Sequence, residues 1–195
     1  LRLSRRTCEL LYLVIPSSFV ILNSSFPTPL RPRTSKPPDR HLPPTMHRFT
    51  CTERVQFSDT DMAGIVHFSN FFRYMERVEH DFFRSLELSI REDPAKIPTE
   101  ECVGWPRVHA SCDYRAPLFF EEVFTMELLV EEVRSKTVRY LVRFWKADGT
   151  LSAEGHLVAA CVRRDKATGK MKAVEIPARI LAKLEAAPTE MLQSV

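Results

Sequence analysis

One amphipathic segment constrains the fold of this chain more than any other stretch of its sequence. From Asn70 to Leu86, apolar side chains recur at spacings of three and four residues, with charged side chains mainly between them. This period is typical of an α-helix that buries one face. The apolar stripe consists of Phe71, Met75, Val78, Phe82 and Leu86. The sequence therefore predicts a helix of about five turns that must pack against another element.

The remaining predicted elements follow a period of two, which is typical of strands with one buried face. Asp148-Gly149 is a hairpin turn signal, and strands joined by hairpins pair antiparallel. The predicted strands cover residues 49–57 before the helix and 107–115, 123–133, 137–145 and 151–162 after it. The predicted fold class is therefore α+β, with the long helix on one side of an antiparallel sheet.

Shorter segments complete this prediction. A stretch with Pro94 and Pro98 is expected to be a loop, and a second turn is expected around residues 167–169. Pro177 can open a small final helix that runs through Leu184. The other face or an edge of the sheet is expected to be available for self-association, since pairing would remove an exposed edge.

Polar chemistry is concentrated in the turn between the first predicted strand and the long helix. Asp59, Asp61 and His67 lie there together with Gly64. The amides at a helix start are unpaired and carry partial positive charge, so we interpret this turn as an active site. Asp59 is predicted to be structural, because a carboxylate can accept hydrogen bonds from turn amides. Asn70 is expected either to cap the helix, as Ser69 could, or to orient Asp61.

Charge and cysteine content exclude several function classes. Of the 28 basic and 25 acidic residues, seven and two lie in residues 1–45, which leaves 21 and 23 in the rest of the chain. The body is therefore slightly acidic and shows no basic stripe for nucleic acid. Five cysteines form no C-x-x-C pair, which argues against disulfides or a zinc site and favours a reducing, cytoplasmic compartment.

Residues 1–45 differ in composition from the body. They hold eight of the 14 prolines and no glycine, so they are expected to be disordered or a mis-annotated extension ahead of a start at Met46. Pro16 interrupts the apolar run that a secretory signal would need, and the run is too short to span a membrane. We therefore expect no membrane partner. The predicted boundaries are residues 1–45 for the extension, 46–187 for the domain and 188–195 for a C-terminal tail.

A family resemblance rests on one long motif. Its residues are Asp59-Thr60-Asp61-x-x-Gly64-Ile65-Val66-x-x-x-Asn70, followed by Tyr74-Met75-Glu76-Arg77. This pattern resembles the signature of the hotdog-fold acyl-CoA thioesterases of the 4-hydroxybenzoyl-CoA thioesterase family, over about residues 48 to 185. The resemblance implies a five-stranded antiparallel sheet wrapped around one long central helix. It also implies homodimers that are usually paired into homotetramers, with active sites shared between subunits.

The same resemblance implies site residues. Asp61 would be the catalytic carboxylate, as general base or nucleophile, and the backbone amide of Phe68 would hold the thioester oxygen. Arg134 and Lys136 would contact the phosphates of coenzyme A. Beyond what the resemblance implies, Gly64, Ile65, Val66 and Ser135 are expected substrate contacts, and His67 and Asn70 are additional catalytic candidates.

The chain departs from the family pattern at two positions. Some relatives carry a histidine at the position of Phe68, whereas this chain has His67 one place earlier. A helix-start or acyl-pocket residue is therefore the plainer interpretation of His67. Ser135 replaces one of two arginines that relatives have before the lysine.

The predicted function is hydrolysis of a small acyl- or aroyl-CoA to the free acid and CoA, without a metal or other cofactor. One alternative is a non-catalytic module that binds acyl-CoA or an acyl carrier, since fold alone does not fix activity. A remote alternative, suggested by the D-x-D pattern, is an aspartate-based phosphatase. Such enzymes need a parallel sheet and usually Thr or Val at the position of Ala63.

Overall fold

The computed structural model describes residues 46–93, 95–98, 101–165 and 167–193. The predicted extension 1–45, Pro94 and the last two residues of the predicted tail lie outside the described residues. The elements are β1 (Arg48–Arg54), α1 (Asn70–Ser85), β2 (Arg107–Tyr114), β3 (Val123–Val133), β4 (Thr137–Lys146), β5 (Leu151–Ala160), β6 (Val162–Arg164), β7 (Met171–Ala173), α2 (Ala178–Leu181) and α3 (Thr189–Leu192).

Five strands form one sheet in the order β1-β3-β4-β5-β2, and every neighbouring pair is antiparallel. The hairpins β3–β4 and β4–β5 place three consecutive strands in the centre, as hairpin connections require. β1 and β2 lie at the two edges, although β2 precedes all three central strands in the chain. The predicted α+β class, with one long helix on an antiparallel sheet, is confirmed.

α1 lies against the inner face of this sheet. Its buried residues include Phe71, Met75 and Phe82 from the predicted apolar stripe, and they pack in one core with alternate residues of β4 such as Tyr140 and Phe144. Gly155 of β5 allows this close approach. A Cβ at that position would lie 2.5 Å from the Met75 sulfur and 2.9 Å from the Ser111 carbonyl oxygen.

The structure corrects the predicted ends of three elements. β1 ends at Arg54, and Phe57 is 77% exposed in a 3-10 turn (Phe57–Asp59). The Asp59 carboxylate accepts the Gln56 amide, and this bond stabilises the turn in place of a longer strand. The predicted last strand is interrupted at Cys161, whose amide donates to Lys136, so that β6 pairs with β7 in a separate sheet. The predicted helix 177–184 is only the four-residue α2.

The outer face of the sheet is partly occupied. Leu129 and Leu141 pack there against Ala187, Met191 and Leu192 of the C-terminal segment. Arg143, 4% exposed, donates to the carbonyl oxygens of Met191 (2.8 Å) and Gln193 (2.6 Å). The predicted tail therefore contains α3 and covers this part of the face that the sequence left open for self-association, whereas Val108 on the edge strand β2 is 62% exposed.

None of the helices in the described residues combines the length and the apolar character that crossing a bilayer requires.

Candidate active site

The acid-rich turn is a small closed loop. Thr60 and Val66 form an antiparallel bridge, and the Asp61 amide donates to Ile65 O at 2.9 Å. Gly64 closes the loop with its amide on Asp61 O (3.0 Å) and a φ of +76°, a region that favours glycine. Asp61 is exposed, and its Oδ1 accepts the Ala63 amide at 2.7 Å. In the described part of the chain Oδ2 has no hydrogen-bond donor, so the carboxylate is oriented by one oxygen and free at the other.

Asp59 supports this loop from below. It is buried, and its Oδ2 accepts hydrogen bonds from the Gln56 amide (3.0 Å) and the Tyr74 hydroxyl (2.8 Å). Its carbonyl oxygen accepts the His67 amide at 2.8 Å. Burial and the bond to Asp59 raise the pKa of Tyr74 well above its ordinary value, so this hydroxyl remains a donor. These bonds agree with the structural role predicted for Asp59.

Asn70 takes neither of its two expected roles. Its Nδ2 donates to the carbonyl oxygen of Asp59 at 2.8 Å, in a buried position. Ser69 is the N-cap residue of α1 but makes no side-chain capping bond; its Oγ lies 2.8 Å from Nδ1 of His67. The imidazole of His67 packs on the ring of Phe68, with 4.4 Å between centroids. Asn70 therefore links the helix start to Asp59, and His67 is held beside Phe68.

Phe68 precedes the helix start and is 60% exposed. Its carbonyl oxygen accepts the Tyr114 hydroxyl (3.1 Å) and, at a longer distance, the Phe71 amide (3.4 Å). Its own amide finds no acceptor within the described residues. The start of a helix carries roughly half a positive charge, so this amide is a donor available to a developing negative charge.

A cavity of about 490 Å³ lies directly beside these groups. The turn and α1 contribute Asp61, Ile65, Val66, Phe68 and Phe71, and the opposite wall is formed by residues 114–118. The Val66 amide ties the two walls together by donating to Leu118 O at 2.9 Å. Its lining is mainly apolar apart from Asp61 and Arg115, which suits an acyl group next to a carboxylate.

Sequence reasoning placed one wall of this cavity and missed the other. Asp61, Ile65, Val66 and Phe68 line it, whereas Gly64, His67 and Asn70 support the turn without lining it. The wall 114–118 was read only as the end of a strand at Pro117. Its one available signal was the run of apolar residues that continues past Pro117.

The β3–β4 turn consists of Arg134, Ser135 and Lys136, as predicted. Within a single chain, however, this turn lies far from the cavity. The cavity wall leads into β3 at Val123, whereas this turn follows β3 at Val133. The eleven residues of β3 span roughly 35 Å at about 3.3 Å per residue. Arg134 is exposed and its Nε donates to Glu132 at 2.8 Å, a bond that raises the pKa of Arg134 above its ordinary value.

Metal ligands and reactive thiols are two other kinds of group that could carry chemistry. Within the described ranges, no three His, Cys, Asp or Glu side chains are grouped so that they could hold a metal ion. Burial raises the pKa values of Cys51, Cys112 and Cys161 to about 11, so these thiols remain protonated at neutral pH. They are not suited to act as thiolate nucleophiles.

Known proteins match both the sequence and the fold. The model of the thioesterase-like superfamily matches residues 55–184. A curated protein from Aquifex aeolicus (strain VF5) is 35% identical over 100 residues, which are 51% of this chain and 74% of that protein. An acyl-CoA thioesterase from Haemophilus influenzae (strain ATCC 51907 / DSM 11121 / KW20 / Rd) is 25% identical over 134 residues, 69% of this chain and 92% of the relative.

Among solved structures, a 1,4-dihydroxy-2-naphthoyl-CoA thioesterase from Synechocystis has a TM-score of 0.61 at 22% identity and covers 70% of this chain and 95% of its own. At that identity the match bears on the fold alone, and it agrees with the sheet and helix described above. The expected hotdog fold is thereby confirmed. The family model covers most of the domain and includes the turn with Asp61. The chain belongs to the thioesterase-like superfamily, and it is a thioester hydrolase.

Proposed function

We propose that this protein hydrolyses a small acyl- or aroyl-CoA to the free acid and CoA, with Asp61 as general base or nucleophile. The observation that carries the proposal is the placement of Asp61 in the wall of an apolar cavity, together with Phe68 at the helix start. Related enzymes give support: one is named 4-hydroxybenzoyl-CoA thioesterase, and the Haemophilus relative is named acyl-CoA thioesterase.

The chemistry needs few groups. As a base, Asp61 takes a proton from water while the oxygen adds to the thioester carbon; as a nucleophile, its free oxygen adds to that carbon directly. In both routes negative charge develops on the thioester oxygen, and the Phe68 N–H stabilises it. Removal of one such donor typically costs about 3 kcal/mol of barrier. Collapse of the adduct then releases CoA thiolate, which takes up a proton. In the base route this leaves the free acid, whereas in the nucleophile route it leaves an anhydride on Asp61, which water hydrolyses to the free acid and the regenerated carboxylate.

Other residues of the turn have supporting roles in this proposal. Ile65 and Val66 contact the acyl part, since both line the cavity, and Gly64 allows the loop to close. His67 and Asn70 hold the segment that carries the Phe68 amide. No metal or other cofactor takes part, and coenzyme A enters only as part of the substrate.

Binding of CoA is proposed to need a second copy of the chain. Arg134, Ser135 and Lys136 lie at the far end of the sheet from the cavity, so another subunit would have to bring them to the nucleotide. The exposed edge strand β2 offers a surface for a homodimer, and dimers would pair into the expected homotetramer. The cytoplasm remains the proposed compartment, supported by free thiols at all four described cysteines.

Release of free thiol from a panel of acyl- and aroyl-CoA esters tests the proposal. Wild type should turn over at least one ester, and Asp61→Asn should lose most of that turnover. Asp165→Asn is the matched control, because this exposed aspartate likewise accepts the amide two residues later (Ala167 N, 3.0 Å) but belongs to the β6–β7 turn. We expect that control to retain wild-type turnover.

Two results would contradict the proposal. Binding of acyl-CoA without turnover by wild type would favour the non-catalytic module. Turnover that requires Mg²⁺ and releases phosphate would favour the phosphatase, although the antiparallel sheet lacks the parallel strands which that class needs.

A further inference from the structure

Tyr114 connects the missed wall of the cavity to the helix start. It is the last residue of β2 and is 47% exposed. Its hydroxyl donates to the carbonyl oxygen of Phe68 at 3.1 Å, and its ring packs edge-on against Phe71 with 5.2 Å between centroids. Tyr114, Phe68 and Phe71 all line the cavity. The hydroxyl therefore joins two elements across the site, over 46 residues of sequence.

The residue that Tyr114 holds has few other anchors. Its neighbours are fixed on the Asp59 side: the His67 amide donates to Asp59 O (2.8 Å) and Asn70 Nδ2 to the same oxygen (2.8 Å). Among the described residues, Phe68 itself accepts only the long bond from Phe71 N (3.4 Å) besides the bond from the Tyr114 hydroxyl. Its side chain is largely exposed, so packing alone does not set the orientation of its backbone.

We propose that Tyr114 is a positioning residue for thioester hydrolysis: by holding the Phe68 carbonyl, its hydroxyl keeps the Phe68 amide directed at the cavity. This inference rests on the proposed function. The Phe68 N–H shares a planar peptide unit with the His67 carbonyl oxygen, which accepts the Asn70 amide at 2.9 Å, and the Tyr114 hydroxyl holds the next unit through the Phe68 carbonyl. With both units held, rotation about the backbone bonds of residue 68 is limited, and a preorganised donor stabilises an oxyanion better than a mobile one. Tyr114 touches no reacting atom in this role.

The ionisation of Tyr114 is compatible with a constant tether. Burial of the phenol, with a smaller effect of Cys112, raises its pKa to about 12. The hydroxyl is therefore protonated across the neutral range and continues to donate. The tether therefore adds no ionisation of its own to the reaction in the neutral range.

Tyr114→Phe tests the inference, because it removes the hydroxyl and keeps the ring. We expect kcat to fall roughly five- to tenfold, as for loss of one neutral hydrogen bond, with KM within about twofold of wild type and an unshifted pH profile. Tyr140→Phe is the matched control. It removes a buried hydroxyl that has no partner in the described residues and lies outside the cavity, so kcat should not change.

A second variant separates the effect of the lost hydrogen bond from an effect on folding. 4-Aminophenylalanine at position 114 keeps the ring and supplies an N–H donor, and it should restore most of the kcat that Tyr114→Phe loses. An unchanged kcat in Tyr114→Phe would overturn the inference, as would a raised KM at constant kcat or a failure of the amino variant to restore kcat. Wild-type turnover is read first. If wild type releases no thiol, the proposed function fails, whereas an effect missing only at Tyr114 removes the tether alone.

Discussion

At the scale of single residues, the most unusual group outside the site is Glu79. Its side chain is completely buried on α1 and accepts two hydrogen bonds from Arg107, from Nε at 2.9 Å and from Nη2 at 2.6 Å. In the described structure its second oxygen and the Tyr140 hydroxyl are both without a partner. Burial raises the pKa of Glu79 from 4.5 to about 7, although Arg107 lowers it in part.

This pKa predicts a pH dependence of stability. Because the folded protein binds the Glu79 proton more tightly than the unfolded chain, stability from this residue is present below about pH 4.5 and is lost as the pH rises to about 7. The loss is on the order of 3 kcal/mol. Gln does not ionise, so Glu79→Gln should not show this loss. The free energy of unfolding of the variant relative to wild type should therefore rise as the pH goes from 5 to 8.

Urea unfolding of the two proteins across this pH range measures the difference. His80 lies 3.1 Å from Arg107 Nη2, and its pKa is lowered by burial and then by Arg107. Glu76 also faces Arg107, at 3.5 Å. Both groups are present in wild type and in the variant, so their own titration largely cancels. A pH-independent difference between the proteins would contradict the expectation.

Single residues also differ in how far their contacts could be predicted from the sequence. Asp61 was placed by its motif, because local spacing alone brings it to the helix start. Tyr114 was not, because its contact with Phe68 depends on β2 pairing with β5, which follows in the chain only after β3 and β4. Asn70 was misassigned for a related reason: its partner is the Asp59 carbonyl oxygen, and backbone acceptors leave no trace in side-chain patterns.

At the scale of elements, the contact between α1 and β5 depends on Gly155. We expect Gly155→Ala to lower the free energy of unfolding by about 1–3 kcal/mol, since the added Cβ would overlap the backbone oxygen of Ser111. Gly104→Ala is the control, because a Cβ there meets only Val162 at an ordinary 3.7 Å. Thermal unfolding compares the two. Equal stability of both variants would contradict this expectation, because it would show that α1 and the sheet can move apart without lowering the free energy of unfolding.

Long elements could be predicted from the period of their apolar residues, and short elements could not. The bounds of β3 agree with the sequence pattern, and α1 ends one residue earlier than expected, because many alternating or helical positions contribute to each. The four-residue α3 carries too few positions for a period. Its contact with Leu129 and Leu141 depends on which sheet face these residues share, and a sequence period does not give this. That contact explains why Leu141 and Arg143 are buried on the outer face.

At the scale of the whole molecule, the separation of Asp61 from Arg134 and Lys136 predicts complementation between subunits. Asp61→Asn supplies an intact β3–β4 turn, and the double variant Arg134→Ala/Lys136→Ala supplies an intact carboxylate. Unfolded and refolded together, the two should regain activity at low substrate concentration that neither has alone, since mixed dimers contain one complete site.

The measurement is thiol release at a substrate concentration well below the wild-type KM, before and after joint refolding. Each variant refolded alone is the control. Activity that stays at the sum of the two separate variants would contradict a shared site and would leave CoA bound within one chain.

Asp61 is the residue that we propose to carry out the chemistry of thioester hydrolysis. The most direct test is kcat of Asp61→Asn on the best acyl-CoA substrate at saturation. We expect a loss of about 10²- to 10⁴-fold, typical of removing a catalytic acid or base, while the variant still binds acyl-CoA. A kcat within about twofold of wild type, with Asp165→Asn equal to both, would contradict it.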